Sequence, residues 1–308
     1  TLVQGALMDP ITGVESNCGT EADRLAWQED GIPQEGFDLC FADFRAESSE
    51  SGFVPKLNAT RFWAEDKMLY ATYSEGFRNG GGNGGRRGSL FAPGGPYDSY
   101  ESDTLENWEI GTKNTLFDGR LTLNATFYHM IWDDIQIETE DPQPGFFALG
   151  IVNFPQAEID GIEADAHWAV TQNLTLSATV GYNDASLSED ATLFPDTGAE
   201  RSASSGTRLP LMPEWKYSLT GRYDFGSLLW NAQPYLIGTW TYNGDTVNSL
   251  AGFQSSVSQA DARVTPSYNI LNLRFGLDAA GWSAALFVDN LFDEYATVFF
   301  SERYTQTR

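Results

Sequence analysis

Three arginines, Arg78, Arg86 and Arg87, stand in the glycine-rich stretch GFRNGGGNGGRRG (76–88) of a chain whose formal charge is −25. A guanidinium presents a planar fork of donors that can grip a carboxylate, a catecholate or a sugar acid. Pairing with neighbouring acidic loops is the competing use of the same groups. The stretch lacks the spacing of a phosphate cradle, and no helical pattern follows it, so it reads as a long surface connection. Aromatic residues lie in other irregular stretches: Tyr97, Tyr100, Phe146, Phe194, Phe253 and Tyr268. Their ring faces can stack on a sugar or a planar chelator, or pack loop against loop. Arg78, Arg86, Arg87, Tyr97, Tyr100 and Phe146 are the ligand-binding candidates.

Other reactive groups are sparse. The two histidines, His129 and His167, are isolated, with no Ser/His/Asp or Cys/His arrangement to propose, so the chain is not expected to be an enzyme. Carboxylates cluster at Asp133, Asp134 and EIDGIEAD (158–165), but not at the spacing of a calcium loop, so neither metal nor cofactor is expected. Cys18 and Cys40 have no histidine nearby. A loop-closing disulfide is the first reading and implies an oxidising compartment; two free thiols is the other. The acidic balance argues against nucleic acid as a partner.

These residues need a scaffold, and the scaffold is written in period two. In GRLTLNATFYHMIWDDIQIE (119–138), Leu121, Leu123, Ala125, Phe127, His129 and Ile131 alternate with Thr122, Asn124, Thr126, Tyr128, Met130 and Trp132. That is a strand with one oily face and one wet face. NLTLSATVGY, NILNLRFGLD, KYSLTGRYDF and GIEADAHWAV repeat the pattern. Charged Glu109, Lys113, Glu163, Asp165, Arg222, Asp224, Arg274 and Asp278 all fall on the wet face. Ten strands are expected, at about 51–62, 67–78, 104–117, 119–133, 147–170, 173–186, 209–224, 228–243, 267–277 and 282–292.

The connections are segregated by length. Short turns at 63–67, 117–119, 170–173, 224–227 and 278–281 alternate with long polar loops at about 79–103, 134–146, 187–208 and 244–266. A transmembrane β-barrel has this asymmetry, with short periplasmic turns, long extracellular loops, a lipid-facing outside and a polar lumen. No run approaches the roughly 18 apolar residues of a membrane helix, but a barrel strand needs only about 9–11. Trp63, Phe117, Trp132, Trp168, Phe225, Trp230, Trp240 and Trp282 sit near strand ends, where amphipathic rings meet lipid headgroups.

Five phrases carry a family resemblance: FVPKLNATRFWAEDKMLYATYSEGFRNGG (53–81), ENWEIGTKNTLFDGRLTLNATFYHMIWDDIQ (106–136), NFPQAEIDGIEADAHW (153–168), LPLMPEWKYSLTGRYDF (209–225) and LNLRFGLDAAGWSAALFVDNLFDEYA (271–296). In this order they resemble the C-terminal part of TonB-dependent outer-membrane receptors. The resemblance implies an all-β, antiparallel transmembrane barrel of 22 strands in the bacterial outer membrane, of which about ten are present. It implies an N-terminal plug inside the barrel and uptake of a scarce, bulky solute powered through the TonB complex. Siderophore, cobalamin, haem and oligosaccharide all fit.

Residues 1–50 are expected to form an extracellular loop region and 51–308 the barrel portion. The chain stops in SERYTQTR, which reads as a loop, so the plug and a closing strand are expected to lie outside it. Expected partners are membrane lipid and lipopolysaccharide, the plug, the TonB complex, and a small-molecule or oligosaccharide ligand. The alternatives are a passive porin and a secreted β-sandwich carbohydrate-binding or adhesin module.

Overall fold

The computed structural model describes residues 6–8, 15–17, 51–84, 89–92, 94–143, 149–195, 200–226, 232–250 and 264–299. Ten long strands are present: β1 (Lys56–Ala64), β2 (Lys67–Arg78), β3 (Asp103–Leu116), β4 (Leu121–Glu140), β5 (Leu149–Ala169), β6 (Leu174–Leu187), β7 (Trp215–Asp224), β8 (Gln233–Asn243), β9 (Tyr268–Ala279) and β10 (Trp282–Val288). They form a single antiparallel sheet in which each strand pairs with its neighbour in sequence, leaving β1 and β10 at the edges. Backbone amides inside hydrocarbon need partners within the protein, and an up-and-down antiparallel sheet supplies them strand by strand.

The register puts the alternating residues on common faces. Ile110, Phe127, Ile162 and Tyr182 are successive cross-strand partners, and the next row holds Thr112, Ala125, Ala164 and Val180. Leu219, Trp240 and Leu271 extend the apolar surface on β7 to β9. Its large side chains are solvent-exposed; Phe127 is 46% exposed, and Leu121 and Leu123 are half-exposed. No second layer covers them among the described residues, as a lipid-facing surface requires and a sandwich core forbids. The opposite face carries Asn124 beside Asp165, Thr126 beside Glu163, and Arg222 beside Thr175.

Aromatic rings border the apolar band. Trp63, Phe117, Trp168, Phe225 and Trp282 lie exposed at the short turns. At the other border Tyr73 contacts Trp108 (centroids 4.4 Å apart), Tyr182 contacts Trp215 (4.7 Å) and Tyr217 stacks on Tyr242 (4.8 Å). Trp230 lies outside the described residues. Trp132 keeps the lumen-side face that alternation gives it but not the headgroup position expected of it: it is half-buried against the loop core. The β3–β4 turn is tight because Phe117, Asp118 and Gly119 all take positive φ.

The strands outrun the membrane. β4 has 20 residues and β5 has 21. At about 3.3 Å per residue such a strand is roughly 66 Å long, against an apolar band of about 25 Å. The hairpin therefore projects well beyond the outer border, and the loop expected from 134 begins only after Glu140. The ladder skips one pair where Asp134 takes φ 52 opposite Pro155, which has no N–H to donate. Beyond that interruption Ile135, Val152 and Phe154 are buried. The long connections carry small ribbons of their own: Gly81–Gly82 with Ser99–Tyr100, Ala191–Leu193 with Arg201–Ala203, and Thr246–Val247 with Val264–Thr265.

Candidate ligand-capture surface

The outer layer is built around one carboxylate. Asp103, at the first position of β3, is 2% exposed. It accepts hydrogen bonds from the Arg78 backbone amide (3.2 Å), from Arg78 Nε and Nη2, from Trp132 Nε1 (3.0 Å) and from the Gln136 amide (3.3 Å). The Arg78 guanidinium also lies over the Trp132 ring, 5.1 Å from its centroid. Burial alone would push the Asp103 carboxyl up. The hydrogen bonds from Arg78, the Gln136 amide and Trp132 outweigh it and hold the group below its ordinary value.

Side chains then stitch Asn79, Asn83 and Glu101 onto the projecting hairpin. Asn83 donates to Ile151 O (2.7 Å) and accepts from Ile151 N (2.8 Å), replacing a strand neighbour. Asn153 accepts from Glu101 N (2.8 Å) and donates to Glu101 O (3.0 Å). Gln136 Nε2 donates to Asn79 O (2.9 Å) and Glu101 O (3.1 Å).

Above this shelf the connections bury a core of their own. Phe91 and Phe194 are fully buried, with Leu90, Leu187, Leu193 and Leu209 around them. Tyr97 meets the Phe194 ring edge-on at 4.8 Å, and its hydroxyl accepts from the Phe194 amide at 3.0 Å. The buried Asp141 carboxylate accepts from the Ser89 hydroxyl (2.6 Å) and the Leu90 amide (2.9 Å), tying this core to the tip of β4. Arg201 is buried beside it; burial pushes its guanidinium pKa down, and Glu140 and Asp141 act against that push.

Below the shelf, the wet face of β4 to β9 lines a cleft of about 860 Å³. Asn124, Thr126, Glu163, Asp165, Lys216 and Tyr268 line it, and Val298 and Phe299 reach its edge. Asn124 Nδ2 donates to Asp165 (3.0 Å). Among the described residues, no group of three or more His, Cys, Asp or Glu is placed to hold a metal ion. The arrangement suits recognition by shape and hydrogen bonding.

The sequence candidates therefore separate. Arg78 is clamped on Asp103, and Tyr100 sits near it, packed over Gly81. Tyr97 is a core residue of the outer layer. Arg86, Arg87, Phe146, Phe253, Cys18 and Cys40 lie outside the described residues. His129 is paired with Asp160 (2.9 Å). Sequence reasoning does not single out Asp103, Asp141 or Asn153: the first two sit among other polar residues at strand ends, and Asn153 stands only as the start of a strand phrase.

The family model described as TonB dependent receptor-like, beta-barrel matches residues 30–291. A ferric-pyoverdine receptor, PbuA, of a Pseudomonas species is 26% identical over 264 residues, covering 82% of this chain and 28% of that protein. A metal-pseudopaline receptor, CntO, of Pseudomonas aeruginosa is 24% identical, covering 82% of this chain and 31% of that protein. The chain thus spans about three-tenths of these relatives. The crystal structure of the siderophore receptor PiuA from Acinetobacter baumannii aligns with a TM-score of 0.55 at 16% identity, over 78% of this chain and 31% of that one. That likeness concerns the fold.

Proposed function

The chain belongs to the TonB-dependent receptor β-barrel family of the bacterial outer membrane, and on that premise we propose that it is part of a receptor that takes up a scarce, bulky solute with energy delivered through TonB. The observation that carries this reading is the two-faced sheet of ten consecutive strands under a preassembled outer layer. Lipid on one side and water on the other explain the alternation. The outer layer gives a large solute a stable surface to meet. In this reading a plug domain fills the barrel and is the lumen's partner, residues 1–50 lie on the outer side, and Cys18 and Cys40 are bonded.

A metal chelate is the first solute class, ahead of cobalamin, haem and oligosaccharide, because the relatives' names concern ferric pyoverdine and metal-pseudopaline. The formal charge of −25 favours a chelate without strong negative charge. Arg86, Arg87, Tyr100 and Phe146 are proposed to touch it, with Arg78 and Tyr97 supporting the surface they stand on.

The test uses the full-length protein in its own membrane. A strain lacking it should lose accumulation of one ferric chelate under iron limitation. A protonophore should abolish uptake in the intact strain while leaving surface binding in place. Uptake that persists without the proton gradient would identify a passive porin and sink the energised reading.

A further inference from the structure

We propose that the lipid-facing side of the β1–β2 hairpin, beside its short turn, holds the phosphate of a periplasmic-leaflet phospholipid between Arg61 and Lys67. Of the lysines and arginines in β1 to β10, only these two alternate to the lipid-facing side. Lys56, Arg78, Lys113, Lys216, Arg222 and Arg274 all fall on the lumen side. Arg61 is the direct cross-strand partner of Leu69, which is 45% exposed in the lipid-facing rows. Lys67 stands two residues before Leu69 on β2, so the two cations lie diagonally across the ladder. A β-bulge between Phe62 and Ala64 leaves Trp63 unpaired, and its exposed ring lies 5.1 Å from Lys67 Nζ. Among the described residues neither cation has an ion-pair partner, although Glu65 and Asp66 form the turn beside them.

Depth makes the pair tolerable. A cation on the lipid side is costly at the bilayer midplane and cheap near an interface. Lys67 adjoins the turn, and Arg61 stands one row further in, within reach of headgroup level along its own apolar stem. Two like charges this close repel each other unless an anion lies between them. The leaflet selects the anion. Short turns of such a barrel face the periplasm, and on that side an outer membrane is built of phospholipid. A phosphate accepts from the planar fork of Arg61 and from the Lys67 ammonium together. The Trp63 ring supplies the amphipathic wall that sits at headgroup level. A strand added at the β1 edge would leave Arg61 facing lipid, because alternation along β1 fixes its side. The site is the same whichever solute is taken up.

Native mass spectrometry of the full-length protein in detergent tests it, with phosphatidylglycerol, diacylglycerol and soluble glycerol phosphate as probes. The expected result is retention of phosphatidylglycerol roughly tenfold tighter than diacylglycerol. The Arg61→Gln/Lys67→Gln double variant should lose that difference. The Arg61→Lys/Lys67→Arg exchange keeps both charges and should keep most of it. Lys113→Gln removes a lumen-side charge and should leave it unchanged. Equal retention of both lipids by the unmodified protein would overturn the proposal, as would a folded double Gln variant that keeps the difference or a Lys113→Gln variant that loses it. Displacement of the lipid by glycerol phosphate would overturn the lipid source.

Discussion

The ring of Tyr128 lies across the backbone of its cross-strand partner Gly161, in the space that a Cβ there would occupy. Its hydroxyl donates to the Asn183 side chain on the next strand. The same relationship recurs between Tyr70 and Gly111 and between Tyr235 and Gly276, always on the lumen face and always between direct partners. A glycine in a strand leaves bare backbone, and an aromatic ring from the neighbouring strand covers it. Gly161→Ala should therefore expel the Tyr128 ring and destabilise the full-length receptor by about 1–3 kcal/mol. Gly181→Ala is the control: the nearest atom to its Cβ would be Lys216 O at 3.9 Å, so it should be tolerated. Thermal unfolding in detergent reads both, and equal melting temperatures would refute the packing argument.

Adjacent residues on β4 should respond to the same substitution in opposite ways. Leu123→Arg puts a charge against lipid one row inside the Trp168 border, at a cost below the about 2–4 kcal/mol of the bilayer midplane. Asn124→Arg points into the lumen beside Asp165, with which the new guanidinium can pair. Folding yield into lipid vesicles should drop for the first variant and stay near the parent's for the second. The reverse order would exchange lipid and lumen throughout the sheet.

Alternation made the ten strands and their two faces readable, because a barrel strand must present lipid and water to successive residues. Strand ends were less readable. β4 continues to Glu140 because Gln136, Asn83 and Asn153 supply side-chain partners along the projecting hairpin, and such pairing leaves no period. The outer layer was the least readable part. Tyr97 and Phe194, in polar connections, carry the same composition whether they stack on a ligand or on each other, and the structure stacks them on each other. Arg78 offered a free-looking fork, but its partner Asp103 lies 25 residues away.

The Asp103 clamp gives a pH signature. Its carboxyl is held below the ordinary value, so the stabilisation is fully present above about pH 3.9, the usual aspartate range, and is lost as pH falls through the lower folded value. Hydrogen exchange of residues 79–101 should stay slow at pH 5 and rise only in stronger acid. Asp103→Asn should raise it at neutral pH, because Arg78 keeps its charge and loses its counterion. Exchange that already rises between about pH 5 and 6 would point to a different titrating group.

Phe194 is the residue on which the outer layer should come apart without the barrel. It is fully buried between Phe91 and Tyr97, at the outer end of a core that continues onto the lumen face of β4 to β6. Truncating a buried Phe to Ala costs about 3–5 kcal/mol. Phe194 itself stands outside the ladder, in a connection, although its core also takes in Ile135, Phe154 and Leu187 of β4 to β6, so the loss should appear first as local opening of that connection. Phe194→Ala should become sensitive to protease within residues 187–209 while the melting temperature of the barrel stays near the parent's. A solute that binds the outer layer would then have to reorder it, so its affinity should fall through faster dissociation. A variant that resists protease but melts early would show instead that the outer core and the barrel fold as one unit.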